Sequence, residues 1–307
     1  FGQNGLGLSI RFNNRKFLQE MFKKIIQEKR YEKKWIKAEV TVSNDKSMCE
    51  FTARVRLSGD NLDHISLITP PSSSLLVELK NGAINGIRKF KLFLPVTRFG
   101  NNEIFSTLLF RKLGFLSPRT SSVDVNINGY MHSYIFQEDL QKEFLEFNKK
   151  TEGPILEGDE RFGLGNPLSF ARMLNSNWAG KSEAGMHIAL ASIELLNLAY
   201  LRTSRYQPTI SKRYGYWLDL ILDIQNYGYH LDDIEGKEML QEFYALSYAL
   251  NAFLGLSRDD SRFYFNPVFG RFEPIYYDAH PRPSEKLIHQ TITHFVKLGI
   301  DGINKKI

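Results

Sequence analysis

The alternation of hydrophobic and polar residues changes character near the middle of the chain. In the first half, apolar residues occupy every second position of several short runs, which is the period of a half-buried β-strand. These strand-like runs are residues 37–42, 51–57, 75–80, 89–94, 123–127 and 131–137. In the second half, the longer apolar runs predict helices. The predicted helical segments are residues 183–203, 216–224, 237–254 and 289–298.

These two halves predict an α+β chain in two lobes that meet near Glu138. We expect three parts: a basic helical extension over residues 1–36, a lobe of sheet plus one helix over 37–138, and a mainly helical lobe over 139–307. Residues 151–180 are rich in Gly and Asn and are predicted to be an irregular insertion.

The first 36 residues are predicted to be a loop followed by a basic helix. Residues 1–8 are Gly-rich, whereas Phe17, Met21, Ile25 and Ile26 recur at helical spacing among Lys, Arg and Glu. Such a helix can lie on a membrane surface or can present a solvated charged face, and the pattern leaves both interpretations open.

Composition indicates a folded protein with an affinity for anions. The 307 residues are 42% hydrophobic and 24% charged, as expected for a chain with a packed core. The net charge is +6, which favours anionic ligands or surfaces without identifying one. Cys49 is the only cysteine, so the sequence excludes an internal disulfide and a cysteine-based metal site.

Membrane-spanning runs and common catalytic motifs are not found in the sequence. No apolar run reaches the length of a membrane span, and there is no P-loop, no Gly-x-Ser-x-Gly elbow and no zinc-type histidine spacing. Because the chain starts at Phe1, we expect a fragment or a processed chain. Any membrane anchor would then belong to an upstream segment.

A hairpin that ends in carboxylates is predicted for residues 255–278. Aromatic and β-branched runs flank a connection that contains Pro and Gly, which is a hairpin signal. The hairpin would bring Asp259 and Asp260 close to Asp278, and such clustered carboxylates need a neutralising cation. Mg²⁺ accepts few carboxylates and completes its shell with water and phosphate oxygens. The alternative is a surface hairpin with solvated aspartates.

A second group of charged residues precedes this hairpin. The strand at 89–94 carries Lys89 and Lys91, the helix after it carries Glu103 in its first turn, and a later hairpin ends at Glu138. Protein kinases use a strand lysine for the ATP phosphates, a helix glutamate for that lysine, and a connecting strand near adenine. Each residue also has a simpler explanation, because strand lysines often face solvent and first-turn glutamates complement the helix dipole.

Eight segments carry a resemblance to a known family. They are Arg54–Asp60, Gly86–Leu92, Pro95–Arg98, Asn102–Glu103, Leu113–Gly114 with Ser117–Arg119, Val125–Gly129, Gln137–Asp139 and Gly255–Asp278. Together these segments, spread over residues 30–280, resemble the spore-coat-protein-H (CotH) kinase-like family in its long bacterial form. The resemblance implies an atypical protein-kinase-like fold with an N-terminal antiparallel sheet lobe containing one helix, and a mainly helical C-terminal lobe.

The resemblance also implies an activity and a setting. It implies an ATP- and Mg²⁺-dependent kinase that phosphorylates Ser or Thr of partner proteins, in the cell envelope or outside the cell. Nucleic acid is not expected as a partner. When the matching segments are placed on the family pattern, Lys91, or else Lys89, takes the position of the phosphate-binding lysine. Glu103 takes the position of its helix partner, and Glu138 takes the lobe-connecting position near adenine.

The metal and catalytic positions match the family only in part. Asp278 takes the position of the metal-binding aspartate, and Asp260 stands where relatives often carry a metal-binding asparagine. Relatives place a catalytic aspartate a few residues earlier, where this chain has Leu256 or Ser257. Asp259 and Asp260 are then the nearby candidates for the base. A nucleotide-binding pseudokinase, a structural protein of the envelope or spore surface, and another metal-dependent phosphoryl or nucleotidyl transferase therefore remain alternatives.

Overall fold

The chain divides into two compact units in a computed structural model. The model describes residues 7–28, 31–43, 47–158, 170–205, 233–252, 254–256, 260–285 and 300–304. Unit 1 comprises Phe1–Ile104 and Pro118–Asp139, and unit 2 comprises Phe105–Ser117 and Leu140–Ile307.

Unit 1 is built on a closed β-barrel. Its strands are β1 (Gly7–Phe12), β2 (Ile36–Ser43), β3 (Met48–Leu57), β4 (Ile65–Ser66), β5 (Ser72–Ser73), β6 (Leu75–Leu79), β7 (Lys89–Phe93), β8 (Thr120–Ile127) and β9 (Tyr130–Glu138). The barrel order is β1-β2-β3-β6-β7-β9-β8, while β4 and β5 pair separately. Every barrel pair is antiparallel except β1 with β8, which runs parallel and closes the ring.

The barrel interior explains why these strands alternate. Side chains at every second position point inwards, as barrel geometry requires. On β7, for example, Phe90 and Leu92 are fully buried while Lys89 and Lys91 point outwards. The inward residues of all seven strands join one hydrophobic core.

The predicted kinase-like fold, with its antiparallel N-terminal sheet lobe, is wrong because this sheet is a closed barrel of mixed direction. The closure depends on β1, which includes Gly7 and Leu8 from the segment predicted to be a loop. Leu8 and Ile10 are the inward residues of β1 and are buried to 2% and 0% exposure. The alternation of β1 covers only Leu8, Ile10 and Phe12 and borders the Gly-rich start of the chain, so the strand was not predicted. Pairing with β2 and β8 stabilises it as a strand.

The basic helix is confirmed as α1 (Asn14–Gln27). It begins where the side chain of Asn13 accepts a hydrogen bond from the Lys16 backbone N–H, a favourable N-cap. Phe17 and Met21 belong to the same core as the barrel interior, so the side of α1 that carries them packs against the barrel.

Unit 2 combines helices with a four-stranded sheet. The sheet order is β11-β10-β12-β13, and all pairs are antiparallel. These strands are β10 (Ile155–Gly158), β11 (Ala171–Met173), β12 (Arg262–Asn266) and β13 (Arg271–Ile275). The described helices are α3 (Lys142–Phe147), α4 (Glu183–Arg205) and α5 (Ile234–Ala249), and α2 (Asn101–Lys112) starts in unit 1 and ends in unit 2.

The hairpin predicted from residues 255–278 is confirmed as β12 and β13, with Arg262 opposite Ile275. The insertion predicted to be irregular instead supplies β10 and β11 to this sheet. The helices predicted at 216–224 and 289–298 lie outside the described residues.

One helix within the described ranges is long and apolar enough to cross a membrane, over Glu183–Leu201 with a mean hydropathy of 1.4. Core helices of water-soluble domains pass the same test. Leu196, Ala199 and Tyr200 of this helix are buried in the unit 2 core, while 33% of its apolar window is buried in all.

Candidate functional site

Two lysines of β7 share one carboxylate on the outer surface of the barrel. Lys89 Nζ lies 2.8 Å from Asp139 Oδ2, and Lys91 Nζ lies 3.5 Å from Asp139 Oδ1. The Asp139 side chain is 11% exposed, and its backbone N–H donates to the Lys89 carbonyl, so it is fixed at the end of β9. Burial favours the neutral carboxyl, but Lys91 and Lys89 outweigh it and hold the pKa of Asp139 below its usual value.

A third cation approaches the same carboxylate. Arg56 lies on β3 opposite Leu76 of β6, and Leu76 lies opposite Lys91 of β7. The two cations are therefore on the same face of the sheet, with one strand between them. Burial lowers the pKa of Arg56, while Asp139 acts in the opposite direction. The Arg56 guanidinium stands over the Trp35 ring, 4.9 Å from its centroid.

Arg56 also has an unused hydrogen-bond donor. Its Nε atom is buried and makes no hydrogen bond within the described part of the chain. A buried donor of a charged group without an acceptor is costly, and such atoms often mark a position that a ligand occupies. Sequence reasoning did not select Arg56 as a site residue. The alternation of β3 indicates its outward face, but its position beside Lys91 depends on strand order.

Gln137 connects Lys91 with Glu103. Gln137 lies opposite Lys91 in the β7–β9 register, and its Nε2 donates to Glu103 Oε1 at 3.1 Å and to Thr120 Oγ1 at 3.3 Å. Glu103 and Gln137 are both fully buried. The glutamate assigned as a lysine partner therefore contacts Gln137, the residue opposite Lys91 in the strand register.

Glu138 is held by an arginine. Arg119 donates from Nε to Glu138 Oε2 at 2.9 Å and from Nη2 to Oε1 at 2.6 Å, which makes a bidentate ion pair. The Glu138 side chain is buried, and its backbone N–H donates to the Arg119 carbonyl. The side chain of Glu138 thus fixes the β8–β9 end of the barrel, whereas the adenine contact implied by the resemblance stays a prediction.

In unit 2, the β12–β13 hairpin brings Asp260 and Asp278 to one end. Asp260 precedes β12 by two residues and Asp278 follows β13 by three. Arg262, the first residue of β12, interacts electrostatically with both aspartates, and its Nη1 donates to the Asp260 carbonyl at 3.1 Å. The predicted proximity of these two carboxylates is thus supported through their common neighbour. Asp259 lies outside the described residues.

Arg262 is itself part of a buried ion pair. Its Nη2 lies 2.8 Å from Glu157 Oε2, and Glu157 also pairs with Arg172. The guanidinium stands over the Tyr277 ring at 3.9 Å. Burial opposes the charge of Arg262, but Glu157, Tyr277 and Asp278 outweigh it and raise its pKa. Glu157 balances much of the positive charge of Arg262. Arg262 can therefore position the two aspartates without neutralising both of their negative charges.

Asp278 adopts an uncommon backbone conformation. Its φ is +49°, in the left-handed region, and His280 has φ +50°. The Asp278 side chain is 18% exposed, and its Oδ1 lies 3.4 Å from His280 Nε2. Left-handed non-glycine residues of this kind concentrate at functional sites, where the surrounding structure holds them.

The segment that precedes the hairpin packs against Asp278. A Cβ added at Gly255 would lie 2.9 Å from Ala279 Cβ and 3.0 Å from the Tyr277 carbonyl oxygen, so only glycine permits this approach. Leu256 follows at 3% exposure in the unit 2 core. The leucine side chain has no group that can accept a proton, so Leu256 cannot serve as the base expected near this position, and Asp260 and Asp259 stay candidates.

Comparisons with protein families and with curated proteins find no match for this chain. The resemblance to the spore-coat-protein-H kinase-like family therefore depends on the motifs alone. Among the described residues, no group of three His, Cys, Asp or Glu side chains is arranged to hold a metal ion.

Proposed function

We propose that this protein binds ATP with Mg²⁺ and transfers a phosphoryl group to Ser or Thr of a partner protein. The observation that supports this most is the arrangement of Asp260 and Asp278 around Arg262 at one end of the hairpin. Phosphoryl transfer needs positioned charges more than covalent chemistry, and each unit by itself carries charged residues of the kinds required.

Unit 1 would supply the phosphate-binding charges. Lys89, Lys91 and Arg56 bring three positive charges close to Asp139, and Asp60 and Glu78 act on Arg56 as further negative charges. The buried Nε of Arg56 without an acceptor fits a group of anionic oxygens.

Unit 2 would supply the metal ligands. Mg²⁺ usually takes one or two protein carboxylates and completes its octahedron with water and phosphate oxygens. Asp278 and Asp260 provide that number of carboxylates, so the donor set fits. When bound, Mg²⁺ neutralises the phosphate charge that develops during transfer.

The acceptor hydroxyl requires a base within hydrogen-bond reach. Asp260, which the Arg262 contact fixes at its backbone, and Asp259 are the two carboxylates near the buried Leu256 position. Either would orient the hydroxyl and accept its proton as the hydroxyl oxygen bonds to the γ-phosphorus, while the bond from that phosphorus to the β–γ bridging oxygen breaks and ADP leaves.

Binding of ATP by calorimetry, with and without Mg²⁺, tests the proposal. We expect wild type to bind ATP more tightly with Mg²⁺ than without it, and Asp278→Asn to lose this difference. Asp124→Asn, an exposed carboxylate change on β8, is the control and should behave as wild type. If wild type binds no ATP under either condition, the proposal is wrong.

Transfer is tested separately with γ-labelled ATP and a mixture of acceptor proteins. Labelling of Ser or Thr that Lys91→Met abolishes, and that the exposed-surface change Lys112→Met preserves, would support a kinase. Detection of AMP on the acceptor would instead indicate nucleotidyl transfer.

A second candidate is a nucleotide-binding interaction protein of the cell envelope or spore surface. The burial of Leu256 at the expected base position favours it, because catalysis would then depend on a relocated aspartate. Retained Mg²⁺-dependent ATP binding without transfer to any acceptor would select this candidate over the kinase.

A further inference from the structure

Helix α1 and the loop between β4 and β5 expose apolar side chains on unit 1. Phe22 and Ile26 are 57% and 80% exposed on α1, and Leu67 and Ile68 are 61% and 81% exposed in the loop. We call these four residues the apolar face. Phe22 and Leu67 line the same shallow groove of about 300 Å³, so the helix and the loop contribute to one surface. The groove is lined by Leu18, Met21, Phe22, Leu67, Thr69 and Pro71.

Basic residues surround this face on α1. Arg15 lies seven residues before Phe22, two helical turns away, and therefore on the same side of the helix. Lys16 and Lys23 are also exposed, and Lys23 Nζ lies 2.7 Å from Glu20. Of the four basic residues of the helix, Lys24 is buried to 1% exposure, so Arg15, Lys16 and Lys23 with the acidic Glu20 leave a net charge of +2. Beside the loop, Asp63 is an exposed acid that reduces this excess by one charge.

We propose that the apolar face docks on an anionic lipid surface, with Phe22, Ile26, Leu67 and Ile68 entering the headgroup boundary. Interfacial helices combine this kind of apolar side with Lys and Arg on the flanks, and their binding grows with buried apolar area and with anionic lipid. The proposal does not depend on phosphoryl transfer, because none of these residues belongs to the charged groups discussed above.

Charge favours a lipid surface over a protein partner. Lysine is depleted at protein–protein interfaces, because its hydrated ammonium must be dehydrated there. At a bilayer surface, Lys16, Lys23 and Arg15 can keep their charges at headgroup level while the neighbouring apolar side chains leave water. The two exposed apolar residues of the loop, Leu67 and Ile68, are adjacent in sequence and can enter the same depth of the boundary.

The experiment is vesicle flotation of the full chain with phosphatidylcholine alone and with phosphatidylcholine plus phosphatidylglycerol. We expect binding to the anionic vesicles, weak binding to the neutral ones, and loss of binding at high salt. Phe22→Ser with Ile26→Ser should weaken binding by at least about tenfold, because each substitution removes a large apolar side chain that would otherwise move from water into the lipid boundary. Arg15→Gln with Lys16→Gln should weaken it roughly tenfold or more on anionic vesicles only.

A matched control comes from a different exposed apolar pair of unit 1. Tyr130→Ser with Met131→Ser removes two exposed apolar side chains at the β8–β9 turn and should leave vesicle binding unchanged. Circular dichroism checks that every variant is folded. The proposal is wrong if wild type ignores anionic vesicles, or if the control pair reduces binding as much as Phe22 and Ile26 do. It is also wrong if the apolar face instead mediates a dimer that Phe22→Ser with Ile26→Ser dissociates.

Discussion

Lys89 and Asp139 form an ion pair of 2.8 Å across the ends of β7 and β9. The same carboxylate lies 3.5 Å from Lys91, so one acid holds two lysines in place. The pair thus has two opposite effects, since it orders the lysines and also occupies the charge that an anion would use.

Asp139→Asn should therefore separate stability from anion binding. The lysines lose a mostly buried partner, and we expect a loss of about 1–2 kcal/mol in the free energy of unfolding, less than for a fully buried pair because both lysines are partly exposed. Affinity for inorganic triphosphate should rise several-fold, which calorimetry would measure. Asp124→Asn on β8 is the control for a lost surface charge. An unchanged triphosphate affinity would show that the lysines do not bind phosphate.

Glu157→Gln should destabilise unit 2. It leaves the Arg262 guanidinium, which is 10% exposed, without its 2.8 Å partner. We expect a loss of about 3 kcal/mol, measured from urea unfolding, and a smaller additional loss when Arg262→Met is combined with it. Glu146→Gln changes an exposed pair with Lys142 and should leave the urea midpoint unchanged. Full additivity of the two buried changes would contradict the pairing.

Gly255→Ala tests the close approach of the hairpin to the preceding segment. The added methyl would lie closer than van der Waals contact to Ala279 and to the Tyr277 carbonyl oxygen. It should lower the free energy of unfolding by about 1–3 kcal/mol. If Asp278 holds Mg²⁺, displacement of this segment should also weaken Mg²⁺-dependent ATP binding roughly tenfold. Gly180→Ala, where an added Cβ meets nothing within 4 Å, is the matched control. Normal Mg²⁺-dependent binding in folded Gly255→Ala would argue against Asp278 as a ligand.

Lys24 should make stability depend on pH. It is buried to 1% exposure and donates to the carbonyls of Ser58 and Gly59. Burial, with repulsion from Lys33, lowers the pKa of Lys24 to about 8 from 10.5, although Asp60 and Asp63 oppose the shift. Above pH 8 the unfolded chain then binds more protons than the folded one, so stability rises with pH up to about 10.5.

We expect this lysine to add about 2 kcal/mol to the free energy of unfolding between about pH 7.5 and 9.5. Urea unfolding of wild type and Lys24→Met at the two pH values measures the effect. The rise should be present in wild type and absent in the variant. Lys16→Met changes an exposed lysine of the same helix and should keep the wild-type slope.

Local patterns predicted the elements with clear periodicity. The Asn128–Gly129 turn, the β12–β13 hairpin, and helices α1 and α4 all carry strong signals within a few residues, and the structure confirms them. Lys89 and Lys91 could be assigned to one face of β7 because strand side chains alternate. The strand ends of the β12–β13 hairpin likewise placed Asp260 and Asp278 together.

Long-range pairing could not be predicted in the same way. Closure of the barrel depends on Leu8 and Ile10 of β1 meeting β8, and the short alternation of β1 does not specify that partner. Arg56, Lys91 and Asp139 become neighbours through the strand order. Sequence reasoning therefore missed the position of Arg56 beside Lys91, and it missed Asp139 as the carboxylate that the two lysines share. The insertion strands β10 and β11 are short, and their formation depends on the edge that β12 offers.

The parallel pairing of β1 with β8 also has a consequence for synthesis. Phe12 donates to the Asn128 side chain across a sequence separation of 116 residues. A nascent chain leaving the ribosome carries β1 and β2 long before their ring partner exists, so the ring closes only after β8 and β9 emerge. Contacts of this range slow folding and leave strand edges exposed meanwhile. Chaperone occupancy should therefore be highest on ribosome-bound chains that stop short of β8.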